Sequence, residues 1–361
     1  MQKLWDEAKA LSGAEALRRY FMIVKDTTTT SEDDQKMKEA AIYAIADTYV
    51  ANKALSDLCQ LIVTVRPLIA YMPQARIAKI IRMLFDKLLT IEGGLEASIS
   101  IGNDIVDWCI KEKRTFLKHR IQTKLGSVYL DLKKYNEALK TIDRVLYEVR
   151  KLEDMLLLVD IHLVETKVYI ALENVPKGKA SLTAVKTAAT TVNLHPAVQA
   201  EIDLLSGYIA TEEKDYSTGY SYFYEAYQGY TNLKDQKAKQ VLLYMLVCKI
   251  LVKANDDVFA LLNSKLGVQH QSKHTDALKA IATANKNKSI VEFENCISVY
   301  REELKDPLIK THINRLYTQL LEDNIKKIID PYSRVEIDRV AKLIGLPYDK
   351  VLGKYVTRLT L

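Results

Sequence analysis

The chain has 361 residues, of which 48% are hydrophobic and 27% are charged, and its net charge is +6. This composition excludes a disordered chain, and the length exceeds that of one typical domain. Only 12 glycines and 7 prolines occur, so we expect helices to dominate and do not expect an all-β fold. The basic excess is spread along the sequence. From Lys310 onward there are ten basic and six acidic residues, which is too weak an excess to indicate a nucleic-acid-binding domain.

The four cysteines, Cys59, Cys109, Cys248 and Cys296, lie far apart and form no Cys-x-x-Cys pair, so we interpret them as buried thiols. The first residues include acids and no apolar stretch, which argues against a secretory signal. The longest apolar run, 241–252, contains a lysine and is far shorter than the ~20 residues that span a bilayer. We therefore expect a soluble intracellular protein.

A repeat of forty residues runs through the sequence. Apolar residues stand 40 apart, each inside a helical segment that ends in a turn: Tyr49, Leu89, Tyr129, Tyr169 and Ile209. Short turns such as 131–135 and 174–176 lead into a second helix, and Pro176 fits the first turn of such a helix. The segment 125–149 resembles the tetratricopeptide (TPR) pattern, although forty residues exceed its usual ~34. We predict an all-α fold, a right-handed solenoid of divergent, TPR-like helical hairpins.

The segment 213–230, EKDYSTGYSYFYEAYQGY, contains six tyrosines and one phenylalanine. Such rings can form a platform for ligands, or they can fill a core between helices. Helical spacing favours the core, because five rings fall on one stripe: Tyr216, Tyr220, Phe223, Tyr224 and Tyr227. Within the repeat this is the second helix of a late hairpin, with neighbours on two sides. We predict a structural core that includes Tyr129, Tyr169, Tyr220, Phe223, Tyr224 and Tyr227.

The spacing of helix boundaries changes after about residue 305, where Pro307, Pro331 and Pro347 mark boundaries at shorter intervals. Ser333 and the glutamate three residues later fit a capping box that opens an amphipathic helix, and Pro347 begins another. Two short helices joined by a short turn predict a helix-turn-helix. Such a motif can read DNA, but the second helix is poor in side chains that read bases, so we do not expect nucleic-acid binding.

No catalytic, cofactor-binding or metal-binding residues are predicted, and we do not expect an enzyme. The glycine-rich phosphate loops and the nucleophile elbow are absent from the sequence. His270 and His274 could share a helix face, but Gln271 stands where a zinc protease has glutamate. The adjacent acidic pairs 256–257 and 302–303 point to different helix faces, so they do not form an acid/base couple.

The order of helical array and helix-turn-helix resembles PCI proteins, which are scaffold subunits of the proteasome lid, the signalosome and translation initiation factor three. The blocks at 109–139, 212–230, 244–252 and 329–351 resemble one lid family in particular, non-ATPase subunit 11 of the 26S proteasome. The resemblance runs from about residue 5 to 351. EKRTFL, at 112–117, and YSYFYEA, at 220–226, are its most specific motifs.

The resemblance implies two domains: a TPR-like solenoid at 1–215 and a PCI domain at 216–361. The PCI domain would comprise a helical part, 216–330, and a winged helix, 331–361. The implied function is a non-catalytic lid scaffold for ubiquitin-dependent degradation in the cytoplasm and nucleus. Its implied partners are an α-ring subunit of the core particle, an ATPase-ring subunit and other lid PCI subunits, without cofactor, small-molecule substrate or membrane. Near the winged helix we expect partner contacts from Ser333, Arg334, Arg339, Tyr348 and Lys350.

The sequence departs from the family pattern at its end. The family continues into a two-stranded wing and a long helix, whereas the sequence stops at Leu361 and its last ten residues no longer match. We therefore expect an incomplete winged helix that is only marginally stable. Two alternatives stay open: a PCI subunit of a sister complex such as the signalosome, and a winged helix that binds nucleic acid.

Overall fold

The computed structural model describes residues 5, 14–26, 32–331 and 339. The described residues from 14 to 331 form seventeen helices, residues 5 and 339 are also helical, and no described residue lies in a strand. By its contacts the chain divides into two compact units, Met1–Asn174 and Val175–Leu361. The predicted domain division after residue 215 stays a prediction.

The first unit contains eight described helices, and helices that are neighbours in sequence pack together. Helices of the same rank in successive hairpins also pack, as α2 does on α4 and α6 on α8. The helices are α1 (Ala14–Lys25), α2 (Glu32–Ala51), α3 (Leu55–Leu68), α4 (Gln74–Leu89), α5 (Gly94–Lys111), α6 (Thr115–Asp131), α7 (Tyr135–Val149) and α8 (Met155–Ala171).

The second unit contains nine described helices, and α17 returns to pack on α12 as well as on α16. Its core is one continuous cluster that extends from α10 to α17. The helices are α9 (Val175–Ala189), α10 (Pro196–Glu212), α11 (Tyr216–Asn232), α12 (Lys237–Leu251), α13 (Asn255–Asn263), α14 (Lys265–Gln269), α15 (Lys273–Asn287), α16 (Ile290–Val299) and α17 (Pro307–Ile329). The predicted all-α array of TPR-like hairpins is confirmed, whereas most of the predicted winged helix lies outside the described residues.

Three-residue turns explain the period of forty. In six of them the middle residue is left-handed, with φ between 53° and 68°: Lys53, Lys113, Lys133, Glu173, Lys214 and Lys253. The residue after it donates its backbone N–H five positions back, as Lys134 does to the carbonyl of Tyr129 at 2.8 Å and Asn174 to that of Tyr169 at 2.9 Å. This bond belongs to the Schellman motif. The tyrosines that stand 40 apart are therefore the residues whose carbonyls close the turns.

The side chains of these tyrosines are only half-buried. Tyr129 packs at the edge of the apolar clusters of the first unit, and burial raises the pKa of Tyr169.

The four cysteines differ in burial. Cys109 and Cys248 are buried, whereas Cys59 and Cys296 are half-buried, so the expectation of four buried thiols is corrected for two of them.

Candidate protein-interaction surface

Helix α11 carries the tyrosine segment, and its buried stripe differs from the predicted one. Phe223 is fully buried and Tyr227 is 1% exposed, as expected for core residues. Tyr220 is half-buried, and Tyr224 is 37% exposed, with its ring stacked on that of Tyr220 at 6.4 Å between centroids. Tyr230, predicted off the stripe, is 2% exposed.

Small residues on α10 and α11 set this register. A β-carbon on Gly219 would lie 2.7 Å from Oγ1 of Thr211, and one on Gly207 would lie 2.6 Å from Cδ1 of Phe223. The two helices therefore approach most closely along the face that contains Gly219 and Phe223. Tyr224 lies one residue beyond Phe223, which turns its ring away from that face. The rings in this segment mainly pack helices together, which fits the core interpretation and not the ligand platform.

Asp306 anchors the start of α17 to α12. Its Oδ1 accepts the backbone N–H groups of Leu308 at 3.1 Å and Ile309 at 3.4 Å, which caps the helix. Its Oδ2 accepts the hydroxyl of Tyr244 at 2.8 Å and Nε2 of Gln240 at 3.0 Å. Burial and the neighbouring carboxylate raise the pKa of Tyr244 above its ordinary range, so the hydroxyl stays a donor.

Glu212 makes a second anchor, between the end of α10 and the second turn of α17. Its Oε1 lies 3.3 Å from Nε2 of the fully buried His312, and its Oε2 lies 3.1 Å from Nη2 of Arg315. Hydrogen bonding from His312 lowers the pKa of Glu212, with a smaller contribution from Arg315, and these effects outweigh burial. The edge of the Tyr216 ring meets the His312 ring, with centroids 5.9 Å apart.

A cleft of about 580 Å³ opens between α16 and α17. Ile297, Leu304 and Ile313 supply its apolar floor, and the last two are at least 93% buried. The exposed side chains of Arg301, Lys305 and Lys310 line it as well. The sequence contains no local pattern that indicates this cleft, because its residues come from two helices and the segment between them.

Two more residues that line the cleft, Tyr317 and Glu294, are hydrogen-bonded to each other. Tyr317 donates its hydroxyl to Oε1 of Glu294 at 2.6 Å. Burial and the bond to Glu294 raise the pKa of Tyr317 above its ordinary range. Glu294 is thus engaged inside the cleft, and the remaining charged side chains that line it are basic.

Of the five predicted partner-contact residues, the structure describes Arg339, which is helical and exposed. Ser333, Arg334, Tyr348 and Lys350 lie outside the described residues. The structure therefore leaves these contacts as predictions.

The two histidines of the metal hypothesis do not share a helix. His270 follows α14 and packs edge-on against the ring of Tyr227, whereas His274 lies in α15 and contacts the carbonyl of Glu303 through Nδ1 at 2.9 Å. Within the described residues, no three histidines, cysteines or acids are grouped as metal ligands. The described part of the chain also contains no helix long and apolar enough to span a membrane.

Comparison with known proteins assigns families to both ends of the chain. The N-terminal domain of 26S proteasome regulatory subunit RPN6 matches residues 2–132, and the PCI domain matches residues 297–356. The 26S proteasome non-ATPase regulatory subunit 11 homolog of Arabidopsis thaliana is 41% identical over 95% of this chain and 82% of its own length. The chain belongs to the family of proteasome subunit 11, also named RPN6.

Other members of the RPN6 family are similarly related. The probable 26S proteasome regulatory subunit rpn6 of Schizosaccharomyces pombe is 42% identical over 88% of this chain and 76% of its own length. Subunit RPN6 of Saccharomyces cerevisiae is 38% identical over 89% of this chain and 76% of its own length. The predicted resemblance to subunit 11 is confirmed.

Among solved structures, the apo form of RapI matches this RPN6 homologue with a TM-score of 0.53 at 12% identity. The match covers 90% of this chain and 97% of RapI. At this identity it supports only the helical fold. The PCI match at 297–356 includes α17 and most residues of the cleft, so the cleft belongs to the PCI part of this RPN6 homologue.

Proposed function

We propose that the chain is a non-catalytic scaffold subunit of the proteasome regulatory lid. It would bridge the α-ring of the core particle, the ATPase ring and neighbouring PCI subunits of the lid during ubiquitin-dependent protein degradation. The observation that carries the proposal is 41% identity over 95% of the chain with a relative named as a non-ATPase regulatory subunit. The stacked hairpins of both units suit a scaffold, since such arrays present extended surfaces to partners.

The regulatory names of the relatives support a positional role. We therefore propose that the purified chain neither hydrolyses ATP nor cleaves peptides or isopeptide-linked ubiquitin. Turnover that follows the chain through purification and disappears when one of its own side chains is changed would contradict this proposal. We also propose residence in the cytoplasm and nucleus, which imaging of a fluorescently tagged chain would test.

Affinity purification of the tagged full chain followed by mass spectrometry tests the assembly. We expect lid, ATPase-ring and α-ring subunits together. Recovery of signalosome subunits instead would establish the sister-complex alternative. Retention on nucleic acid with a steep dependence on salt would favour the winged-helix alternative.

The predicted partner contacts give this experiment a sharper form. Reversing three charges together, with Arg334→Glu, Arg339→Glu and Lys350→Glu, should lower recovery of neighbouring lid subunits by about tenfold, because like charges across an interface repel. Lys326→Glu, on the exposed last turn of α17, is a single-charge control outside the predicted contacts and should leave recovery unchanged. Equal recovery from both variants would remove these residues from the interface.

A further inference from the structure

The cleft between α16 and α17 combines an apolar floor with a basic rim. Leu304 and Ile313 form the buried part of the floor, and the half-buried Ile297 extends it toward solvent. A concave apolar site with a few charged groups at its edge is the usual form of a ligand-binding pocket. The volume, about 580 Å³, is large enough for one or two large apolar side chains.

The rim is unbalanced in charge. Arg301, Lys305 and Lys310 are exposed and line the cleft, whereas its one acidic side chain, Glu294, already accepts the hydroxyl of Tyr317. Lys305 has an ion pair with the exposed Glu302, which a competing carboxylate can replace at little cost. The cleft is therefore complementary to a ligand that carries negative charge beside an apolar group.

The α17 wall of the cleft is held in place before any ligand arrives. Asp306 caps α17 and binds Tyr244 of α12, and Glu212 holds His312 and Arg315 one turn further along. A preorganised site loses less entropy on binding than one that must first be ordered.

We infer that this cleft binds a short acidic, amphipathic helix of a partner protein. Large apolar side chains of the helix occupy the floor, and carboxylates on both sides of them pair with Arg301 and Lys310. A helix in a groove presents anchors one turn apart, which suits a cleft bounded by two helices. A nucleic acid would match the rim but not the floor, because its phosphates cannot occupy an apolar surface. The inference concerns the purified chain alone, so it can fail while the proposed lid function stands.

The test uses the purified full chain and a fluorescein-labelled helical peptide in which two leucines, one turn apart, lie between aspartates. We expect saturable binding by fluorescence anisotropy that weakens as salt is raised. Replacing both leucines with serine, or all aspartates with lysine, should each weaken binding by about tenfold or more. The serine version of the peptide tests the floor, and the lysine version tests the rim.

Variants of the chain complete the test. Arg301→Glu combined with Lys310→Glu should weaken binding of the aspartate peptide by about tenfold and strengthen binding of the lysine peptide. A folding defect cannot produce this exchange of preference. Lys326→Glu combined with Lys327→Glu also reverses two basic charges, at the far end of α17, about 24 Å or more from Lys310 at 1.5 Å per residue, and should bind as wild type does. The inference would be overturned if the aspartate peptide did not bind at about 1 mM, or if the aspartate and lysine peptides bound equally well. It would also be overturned if a single-stranded oligonucleotide displaced the aspartate peptide as well as unlabelled aspartate peptide does.

Discussion

The ring of Phe223 lies directly against Gly207 of the neighbouring helix, where a β-carbon would stand 2.6 Å from Cδ1 of the ring. Phe223 is fully buried, so the ring can leave this contact only by displacing its neighbours or by losing its cover from water. The absence of a side chain at one position thus allows the large side chain at the other. The two residues should behave as one packing unit, and their substitutions should not be additive.

Gly207→Ala tests this coupling through a change of sign. In the wild-type background we expect a net loss of about 1 kcal/mol or more, since overpacking outweighs the better helix propensity of alanine. In a Phe223→Ala background the clash is gone, and the same substitution should stabilise by up to about 1 kcal/mol. A double-mutant cycle on urea unfolding measures both values. Equal effects in the two backgrounds would mean that the contact carries no energy.

Phe223 and Tyr224 are adjacent in sequence but differ in burial. Phe223→Ala should cost about 3 to 5 kcal/mol, because it leaves a cavity in the core of the second unit. Tyr224→Ala removes a ring that is 37% exposed and should cost about 1 kcal/mol or less. Thermal unfolding of the two variants side by side checks the difference, and similar losses would contradict the register described for α11.

The bond between Tyr244 and Asp306 predicts a second coupled pair. Asp306→Ala should cost about 2 to 4 kcal/mol, since it removes the cap of α17 and leaves the buried Tyr244 hydroxyl without this acceptor. Tyr244→Phe should cost about 1 kcal/mol, and the two losses should overlap in the double variant. Asp256→Ala, which removes an exposed carboxylate from the first turn of α13, is the control and should stay within about 0.5 kcal/mol of wild type. Hydrogen exchange should locate the loss of protection at the start of α17 in Asp306→Ala alone.

Glu212 predicts a loss of stability in acid. Its pKa is lowered in the folded chain, so its contribution is complete above the unfolded value of about 4.3 and is lost as pH falls through the folded pKa. The stability difference between wild type and Glu212→Gln should therefore be widest near neutral pH and narrow below about pH 4.3. Thermal unfolding across this range measures it.

Asp203 gives a control of opposite sign for this pH dependence. Burial, assisted by the charge of Glu225, raises its pKa in the folded chain. Its ionisation therefore destabilises the fold as pH rises above the unfolded value of about 3.9. The difference between wild type and Asp203→Asn should change with pH in the opposite direction to that of Glu212→Gln. Parallel changes in the two differences would show that neither carboxyl governs the dependence.

The four thiols should react with iodoacetamide in two classes. Burial raises the pKa of Cys109 and of Cys248 to about 11, so at mildly alkaline pH they are protonated as well as shielded. Cys59 and Cys296 also have raised pKa values but are half-buried, and we expect them to be alkylated first. Mass spectrometry of timed digests gives the order. Early modification of Cys248 would show that α12 opens from its neighbours.

The helical hairpins were predictable from sequence because three of the residues that define the period of forty, Tyr49, Tyr129 and Tyr169, accept the backbone bonds that close turns. The left-handed residues themselves were not predictable, since lysine or glutamate stands in the six turns where glycine would be the usual signal. Their relative spacing, as at Lys133 and Glu173, was the one available clue.

The details of packing were less accessible than the hairpins. The tyrosine stripe was only partly predicted: Phe223 and Tyr227 are buried as expected, whereas Tyr224 is exposed and Tyr230, outside the predicted stripe, is buried. The glycines, not the rings, determine how closely the two helices approach. Gly207, which determines the position of Phe223, lies on another helix and has no local signature of that role. The cleft could not be predicted either, because its residues come from different elements. In the sequence, an exposed arginine at its rim cannot be distinguished from any other solvated residue.

The turns and the anchors of α17 form at different times while the chain is being synthesised. Turn bonds join residues five apart, so each hairpin can close soon after it is synthesised. The anchors of α17 join residues 62 and 103 apart, Tyr244 with Asp306 and Glu212 with Arg315. Until α17 has been translated, the face of α12 that it covers stays exposed on a nascent chain that is otherwise already helical. During that interval we expect the uncovered apolar surface of α12 to be open to aggregation, and a ribosome that stalls before α17 is complete prolongs the exposure.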